Sequence, residues 1–515
     1  MNVVWKISAL VGAFAFVIYT GRARQTAPEP PTNSVFTSQR AVTCLARSDD
    51  GTVWAGTTGG VLRRDPQTQT WTGYTRAHGL PAHEVQSIVE NAMGVTVVFA
   101  GGKAARWQQN TWQAITPTTS RVATNTPVTL TPTGNLRVGN RPVPFPPSPT
   151  GTHIVAALPG ANGDVLTAVW GDNAFYRWRA GTKTWTREET GLPEEVGRQI
   201  TVVEQSNGLF WVGTRRSGVW EGDTRTWKAV DTSLAGPYNH NAQAIATFRG
   251  DLFVSTLEDG LMVRTVNGWH CFRNGSLSSD APRQLLVFGD ALYVRHGNGM
   301  VDRFDGTVWA KNVWAGLLPR KQVSALAAQG DTLYAAQWGG WSAWHKNDRE
   351  LGTWSHHFNE ALLQGIPVTA LCSSSDGKTL WVGTQGRGLL EVDEQTGVVR
   401  RRHDERDGLT DDWITTLAQS EGHLWVGTFV GGLLRASVIG WAVVPGTENE
   451  NITDLAPMKK GTGVLIATRH GVRLIGTGIV PPLVAGREIE AQCLQTTESG
   501  GLWVGTRTGI YFVKP

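Results

Sequence analysis

Leu424-Trp425-Val426-Gly427-Thr428 is one of five near-identical copies of a short motif in this chain. The others are Val53-Trp54-Ala55-Gly56-Thr57, Phe210-Trp211-Val212-Gly213-Thr214, Leu380-Trp381-Val382-Gly383-Thr384 and Leu502-Trp503-Val504-Gly505-Thr506. Side chains alternate across a strand, so tryptophan and glycine share one face while valine and threonine share the other. Such a strand is apolar on both faces, and its sheet must be covered on both sides. Around each copy runs the same context: a V-T-x-L strand and a turn before it, a glycine-containing loop and an apolar strand after it.

Weaker copies fill the gaps at Phe253-Val254-Ser255-Thr256, Tyr293-Val294-Arg295, Tyr334-Ala335-Ala336, Leu465-Ile466-Ala467-Thr468, Val98-Phe99-Ala100-Gly101, Leu166-Thr167-Ala168 and Leu136-Arg137-Val138-Gly139. The count is about twelve units of roughly 40 residues, disturbed only around Pro142 to Pro149. A second tryptophan follows a polar turn in most units, at Trp71, Trp112, Trp185, Trp227, Trp269, Trp309, Trp354 and Trp441. It marks an outer strand, so each unit reads as four antiparallel strands, a to d, and the tryptophans as packing between units. This is the pattern of an all-β β-propeller of about twelve four-stranded blades. A single propeller usually carries about four to eight blades, which favours two propellers of six or seven, joined near 282, over one large ring. The lone strand Val35-Phe36-Thr37 and the unfinished last unit Gly509 to Val513 predict a clasp in which the first strand completes the last blade.

The chain of 515 residues carries 47 basic and 43 acidic side chains, a balance too even for electrostatic capture of nucleic acid. Residues 1–24 combine Lys6 with an uncharged apolar run from Ile7 to Tyr19, and read as a signal peptide or an N-terminal anchor. Export to the periplasm or beyond follows, with membrane contact only through residues 3–20. Residues 25–34 are a proline-rich spacer and 35–515 the repeats. Cys44, Cys271, Cys372 and Cys493 have neither metal nor disulfide spacing, and those at 44, 372 and 493 read as small hydrophobes.

The L-W-V-G-T core with a following G-G-L and, some way on, loops such as His78-Gly79-Leu80-Pro81, Thr190-Gly191-Leu192-Pro193 and Asp407-Gly408-Leu409-Thr410 resembles the two-component-regulator propeller repeat. The resemblance spans nearly all of 35–515. It implies a sensor-type periplasmic propeller that recognises a ligand, often a carbohydrate fragment. The linking β-sandwich and kinase that accompany such sensors do not follow these repeats, so the resemblance is to the propeller part alone.

No linear signature of a nucleotide, metal, EF-hand or hydrolase site is present. Asp49-Asp50-Gly51 and Asp305-Gly306-Thr307 fit ordinary hairpin turns. Adjacent His356 and His357 point to opposite faces and do not chelate together. Neither a metal nor a cofactor is expected. Function is expected in the loops between strands b and c, which vary while their flanks repeat. They contribute Arg215, Arg216, Glu258, Asp259, His296, Asn298, Trp338, Trp341, Gln385, Arg387, Phe429, Arg469, His470 and Arg507. Arginines among aromatics suit a polar, ring-bearing or anionic ligand. The expected function is an exported, non-catalytic propeller that binds a saccharide or an envelope protein, as a sensor or a scaffold. The alternative is a propeller lyase or glycan hydrolase drawing on Asp172, Glu258 and Asp259.

Overall fold

A computed structural model describes residues 27–514 apart from 33, 92–93, 117–127, 131–135, 139–140, 207, 224, 231–236, 238–240, 258, 274, 347–353, 364, 438–439, 459–462, 477–483 and 486–489. The signal or anchor segment 1–24 lies outside the described residues. Among those described, no helix is long and apolar enough to cross a membrane.

The repeats fold as antiparallel meanders whose strands pair in chain order. Blades 1 to 12 run over 42–74, 85–115, 128–143, 154–189, 200–229, 242–272, 282–310, 323–358, 368–403, 414–443, 452–485 and 491–513. Eleven sheets have four strands, and blade 3 has three among the described residues. Blade 3 is also where the repeat is least regular in sequence. The L-W-V-G-T segments form strand b, with Trp54, Trp211, Trp425 and Trp503 each at most 4% exposed. The second tryptophans lie on or beside the outermost strands.

Each recurring residue has a physical task at the seam between neighbouring blades. Strand a carries a β-bulge at its second position, as between Ile414 and Thr416. The bulge turns the threonine hydroxyl onto a carbonyl of the next blade. Thr43 donates to Val85 O, Thr369 to Ile414 O and Thr453 to Ala491 O, at 2.6–2.7 Å. The glycine of strand b is the floor on which the next blade's first apolar residue sits. A Cβ on Gly56 would fall 2.5 Å from Val85 Cγ1, and one on Gly427 2.8 Å from Ile452 Cγ2.

These same contacts show which blades are neighbours. Gly213 of blade 5 packs on Val42 of blade 1, and Thr201 donates to Val42 O at 2.7 Å. Arg64 of blade 1 reinforces this seam through two hydrogen bonds to Glu221 of blade 5, at 2.8 and 2.6 Å. Gly505 of blade 12 packs on Ala242 and Ile245 of blade 6. The first five blades therefore join in one circuit through the seams 2-1, 1-5, 5-4 and 4-3, the link 117–127 between blades 2 and 3 lying outside the described residues, and blades 6 to 12 close a second of seven. The change of circuit falls between 229 and 242, ahead of the join expected near 282, and the circuits hold five and seven blades where six or seven each were expected. Replacing Thr201 with valine keeps the shape but removes the hydroxyl at the closing seam. A loss of about 1 kcal/mol is expected by denaturant titration.

The predicted clasp is present. Ser34–Phe36 pairs antiparallel with Ile510–Val513, Val35 opposite Tyr511, and completes blade 12. From there the chain passes through the buried residues Thr37 to Arg40 into blade 1. The five-bladed circuit is thus inserted between the last strand of the seven-bladed one and its remainder. Contacts between the circuits include a hydrogen bond from Thr37 Oγ1 to Gly59 O, a hydrogen-bonded pair of His83 Nε2 and Tyr511 Oη 2.8 Å apart, and Arg216 within 3.8 Å of Asp259. The spacer residues Pro28 and Glu29 lie along the second circuit: Pro28 O accepts from Arg264, and the Glu29 carboxylate accepts from Ser499 Oγ.

Candidate functional site

Where strand b ends in threonine, that residue fastens the base of the b–c loop. Thr384 Oγ1 donates to Gly388 O at 2.7 Å and accepts from Arg387 N at 3.0 Å. Thr214, Thr256, Thr428 and Thr506 make the equivalent bond to Gly218, Gly260, Gly432 and Gly509 at 2.8 Å. The first loop residue then donates its backbone N–H to the carbonyl that precedes its own strand a. Gln385 N donates to Pro367 O and Phe429 N to Trp413 O, each at 3.1 Å. The b–c and d–a loops of these blades therefore form one rim, tied together by hydrogen bonds at its base.

On blades 8 to 10 this rim is aromatic. Trp338 is 50% exposed and forms a β-bridge with Pro367, which accepts from Gln385; Gln385 in turn bridges Trp413. Trp413 and Phe429 stack with centroids 4.3 Å apart at 17°. Val430 beside them is 55% exposed. Three blades thus present Trp338, Gln385 and the Trp413–Phe429 pair in sequence, a flat apolar strip with a polar amide at its centre.

Elsewhere on the rim the expected residues are paired. Arg507 meets Glu490 at 2.7 Å, and His470 meets Glu450 at 3.0 Å, with Arg473 on the same carboxylate at 3.3 Å. Arg469 is exposed. Asp259 is nearly buried between Arg216 and Arg273, and Arg215 lies 5.9 Å over Trp170. Arg215 and Arg216 belong to the five-bladed circuit, so the expected set is divided between two rims. Glu258 lies outside the described residues. Arg387 is part-buried, and its carbonyl takes Arg402 Nε. Asn298 spends its side-chain oxygen on Met300 N.

Two expected site residues are turned inward. Trp341 lies in strand c of blade 8, 2% exposed, stacked on His357 at 5.6 Å. Three residues past the exposed Trp338, it has already entered the strand that starts at Gly340, where alternation sends it into the core. His296 is fully buried, its Nε2 2.8 Å from Asp302 Oδ2. Burial would raise the Asp302 carboxyl, but hydrogen bonds from His296, Ser278 and Asn312 hold it below its ordinary range. His296 stands at the strand b end, where Thr256, Thr384, Thr428, Thr468 and Thr506 stand in five other blades of the circuit.

Of the carboxylates of the enzymatic alternative, the two among the described residues, Asp172 and Asp259, do not converge. Asp172 is 5% exposed in the five-bladed circuit and accepts from Tyr176 Oη at 2.6 Å and Ser148 Oγ at 2.7 Å, with Arg187 at 3.5 Å. Burial opposes its ionisation, yet these donors keep it below the usual carboxylate value. It stands beside a cleft of about 570 Å³ also lined by Asn173, Glu189 and Arg198. Asp259 lies on the other circuit, already held by two arginines. Part-buried Asp454 is pushed up to about 6 by desolvation, although Leu455 N and Leu494 N both donate to it; it ties blade 11 to blade 12. Among the described residues no three histidine, cysteine or acidic side chains come together to hold a metal. The four cysteines are unbridged, and burial raises each thiol, that of Cys372 to about 11.

Trp413 is the rim residue that sequence reasoning passed over. It sits in Asp411-Asp412-Trp413, outside any b–c loop, and the signal for it is that no other d–a loop ends in tryptophan directly before strand a.

No family model matches the chain, and no curated protein matches it. Among solved structures it is similar to the extracellular domain of a putative hybrid two-component system of B. thetaiotaomicron, at 15% identity over 92% of this chain and 68% of that one, with a TM-score of 0.44. A second such extracellular domain from the same organism gives 16%, 92%, 70% and 0.46. PorZ, a surface component of the type-IX secretion system of Porphyromonas gingivalis, gives 12%, 94%, 86% and 0.36.

Proposed function

We propose that the chain is an exported, non-catalytic recognition protein that binds a saccharide on the rim of its seven-bladed circuit. The observation that carries this reading is the strip formed by Trp338, Gln385 and the Trp413–Phe429 stack. Exposed tryptophan is costly in water and earns its place by covering something. Sugar rings offer flat C–H faces to aromatic planes, and their hydroxyls suit an amide and nearby guanidinium groups. The absence of converging carboxylates among the described residues fits binding without turnover. The resemblance of the repeat to sensor propellers supports an envelope location, with the N-terminal segment as leader or tether.

Trp338→Ala and Phe429→Ala remove strip surface without touching a blade seam. Screening the mature chain on a glycan array is expected to give saccharide binding that each variant weakens about tenfold or more, with melting temperature unchanged within a degree or two. Silence of the unmodified chain across saccharides, with capture of an envelope protein instead, would transfer the strip to a protein partner.

A further inference from the structure

Blade 7 differs from the other six blades of its circuit at four positions along strands a and b. At the bulge of strand a, where neighbours have serine, threonine or glutamine, it has Arg283. Next to it Gln284 takes over the tie to blade 8, donating to Leu326 O and accepting from Leu326 N at 2.8 Å each. At the glycine position of strand b the other six blades have Ser255, Ala336, Gly383, Gly427, Ala467 and Gly505; blade 7 has Arg295, opposite Gln284. The strand then ends in His296 in place of threonine.

The two arginines are partly buried and have only neutral partners among the described residues. Arg283 Nη1 approaches Gln243 Oε1 at 3.5 Å and Leu257 O at 3.4 Å, and the side chain runs beside Gly297. Arg295 Nε reaches Gln284 Oε1 at 3.3 Å. Burial and the neighbouring Arg283 push Arg295 down to about 10. Two like charges withdrawn from water with no counter-charge among the described residues are unfavourable, and blade packing does not call for Arg295, since glycine, alanine or serine serves its position in the other six blades of the circuit. The Gln284 tie and the His296–Asp302 pair are what allow the blade to fold around them.

We propose that Arg283 and Arg295 form a site for an anionic group, a carboxylate or sulfate carried by a saccharide, at the loop end of the seams joining blade 7 to blades 6 and 8. This rests on the saccharide reading above and narrows it to acidic sugars. Guanidinium forks match both oxyanions in a bidentate manner. The aromatic strip begins on blade 8, so one acidic oligosaccharide can reach both.

The test is thermal melting of the full chain with glucuronate, with glucose, and with chloride at matched ionic strength. Glucuronate alone is expected to raise the melting temperature by a few degrees, increasing with its concentration. Arg295→Gly, which restores the repeat residue, and Arg283→Thr, which restores the bulge residue, are expected to fold and to lose this response. An equal response in Arg295→Gly overturns the proposal. So does a response that appears only in Glu258→Gln, because the counter-charge is then internal. Neutral-glycan binding that Trp338→Ala abolishes, with no glucuronate effect on any chain, sinks the anion site and leaves the saccharide reading standing.

Discussion

Gly505→Val is expected to destabilise the chain by about 3 kcal/mol or more, and Gly505→Ala by somewhat less, measured by denaturant titration against the unmodified protein. The sign is the informative part. A glycine kept only for flexibility is stabilised by alanine, by about 0.4–1 kcal/mol, because the unfolded chain loses freedom. Gly505 is not such a residue: its backbone is ordinary strand, and a Cβ there would lie 2.4 Å from Cys493 Sγ and 2.8 Å from Ala242 Cβ. Those atoms belong to strands a of blades 12 and 6, the two ends of the seven-bladed circuit, so the added carbon wedges the closure open. Gly181→Ala is the control, since nothing lies within 4 Å of a Cβ built at that exposed turn. If both substitutions leave stability alone, blade 12 does not close on blade 6, and the two-circuit arrangement is wrong.

The same residue explains what could be read beforehand and what could not. Glycine at the fourth position of L-W-V-G-T and valine or isoleucine at the head of strand a are the two halves of the clearest seams, and they announce the blades in the sequence. They are nearly the same letters at every seam, however. Nothing in Gly213 says that it meets Val42, 171 positions earlier by residue number, while Gly383 meets Ile414 of the following blade. Blade number was therefore legible and circuit membership was not. The clasp was legible because an unpaired first strand and an unfinished last blade must satisfy each other.

The site was legible where exposure follows from loop position alone, as for Trp338 and Phe429. It failed three residues beyond Trp338, at Trp341, where the loop has become a strand and period-two alternation decides. It failed at His296, because a histidine in a loop flank was taken as a ligand-facing group when its partner Asp302 waits inside the blade. Arg295 was in view as part of a weak repeat copy. Its weight comes from standing where the fold otherwise requires a small residue.

A chain beginning after residue 36 is expected to lose more than three residues' worth of stability, because the clasp closes a seam as well as a blade. Phe36 lies 5.8 Å from Trp503 of blade 12 and 5.9 Å from Trp269 of blade 6, with the Arg264 guanidinium 5.3 Å from its ring. Its ring thus joins the first and last blades of the seven-bladed circuit, and Phe36→Ala alone should cost about 3 kcal/mol. Deleting the strand adds a second effect, since Ile510–Val513 becomes an uncovered edge with Tyr511 and Phe512 on it. The truncated chain is expected to melt at a clearly lower temperature and to associate with rising concentration in light scattering. A synthetic peptide covering 27–41 should reverse both, while the same peptide carrying Val35→Pro should not, because proline at the middle of the pairing with Tyr511 cannot donate to it. A truncated chain that melts with the intact one would mean that the strand decorates blade 12 without closing it. In the arrangement described here it cannot be mere decoration. The strand lies directly ahead of the buried segment Thr37 to Arg40, so releasing it also loosens the passage into blade 1 and with it the contact between the two circuits.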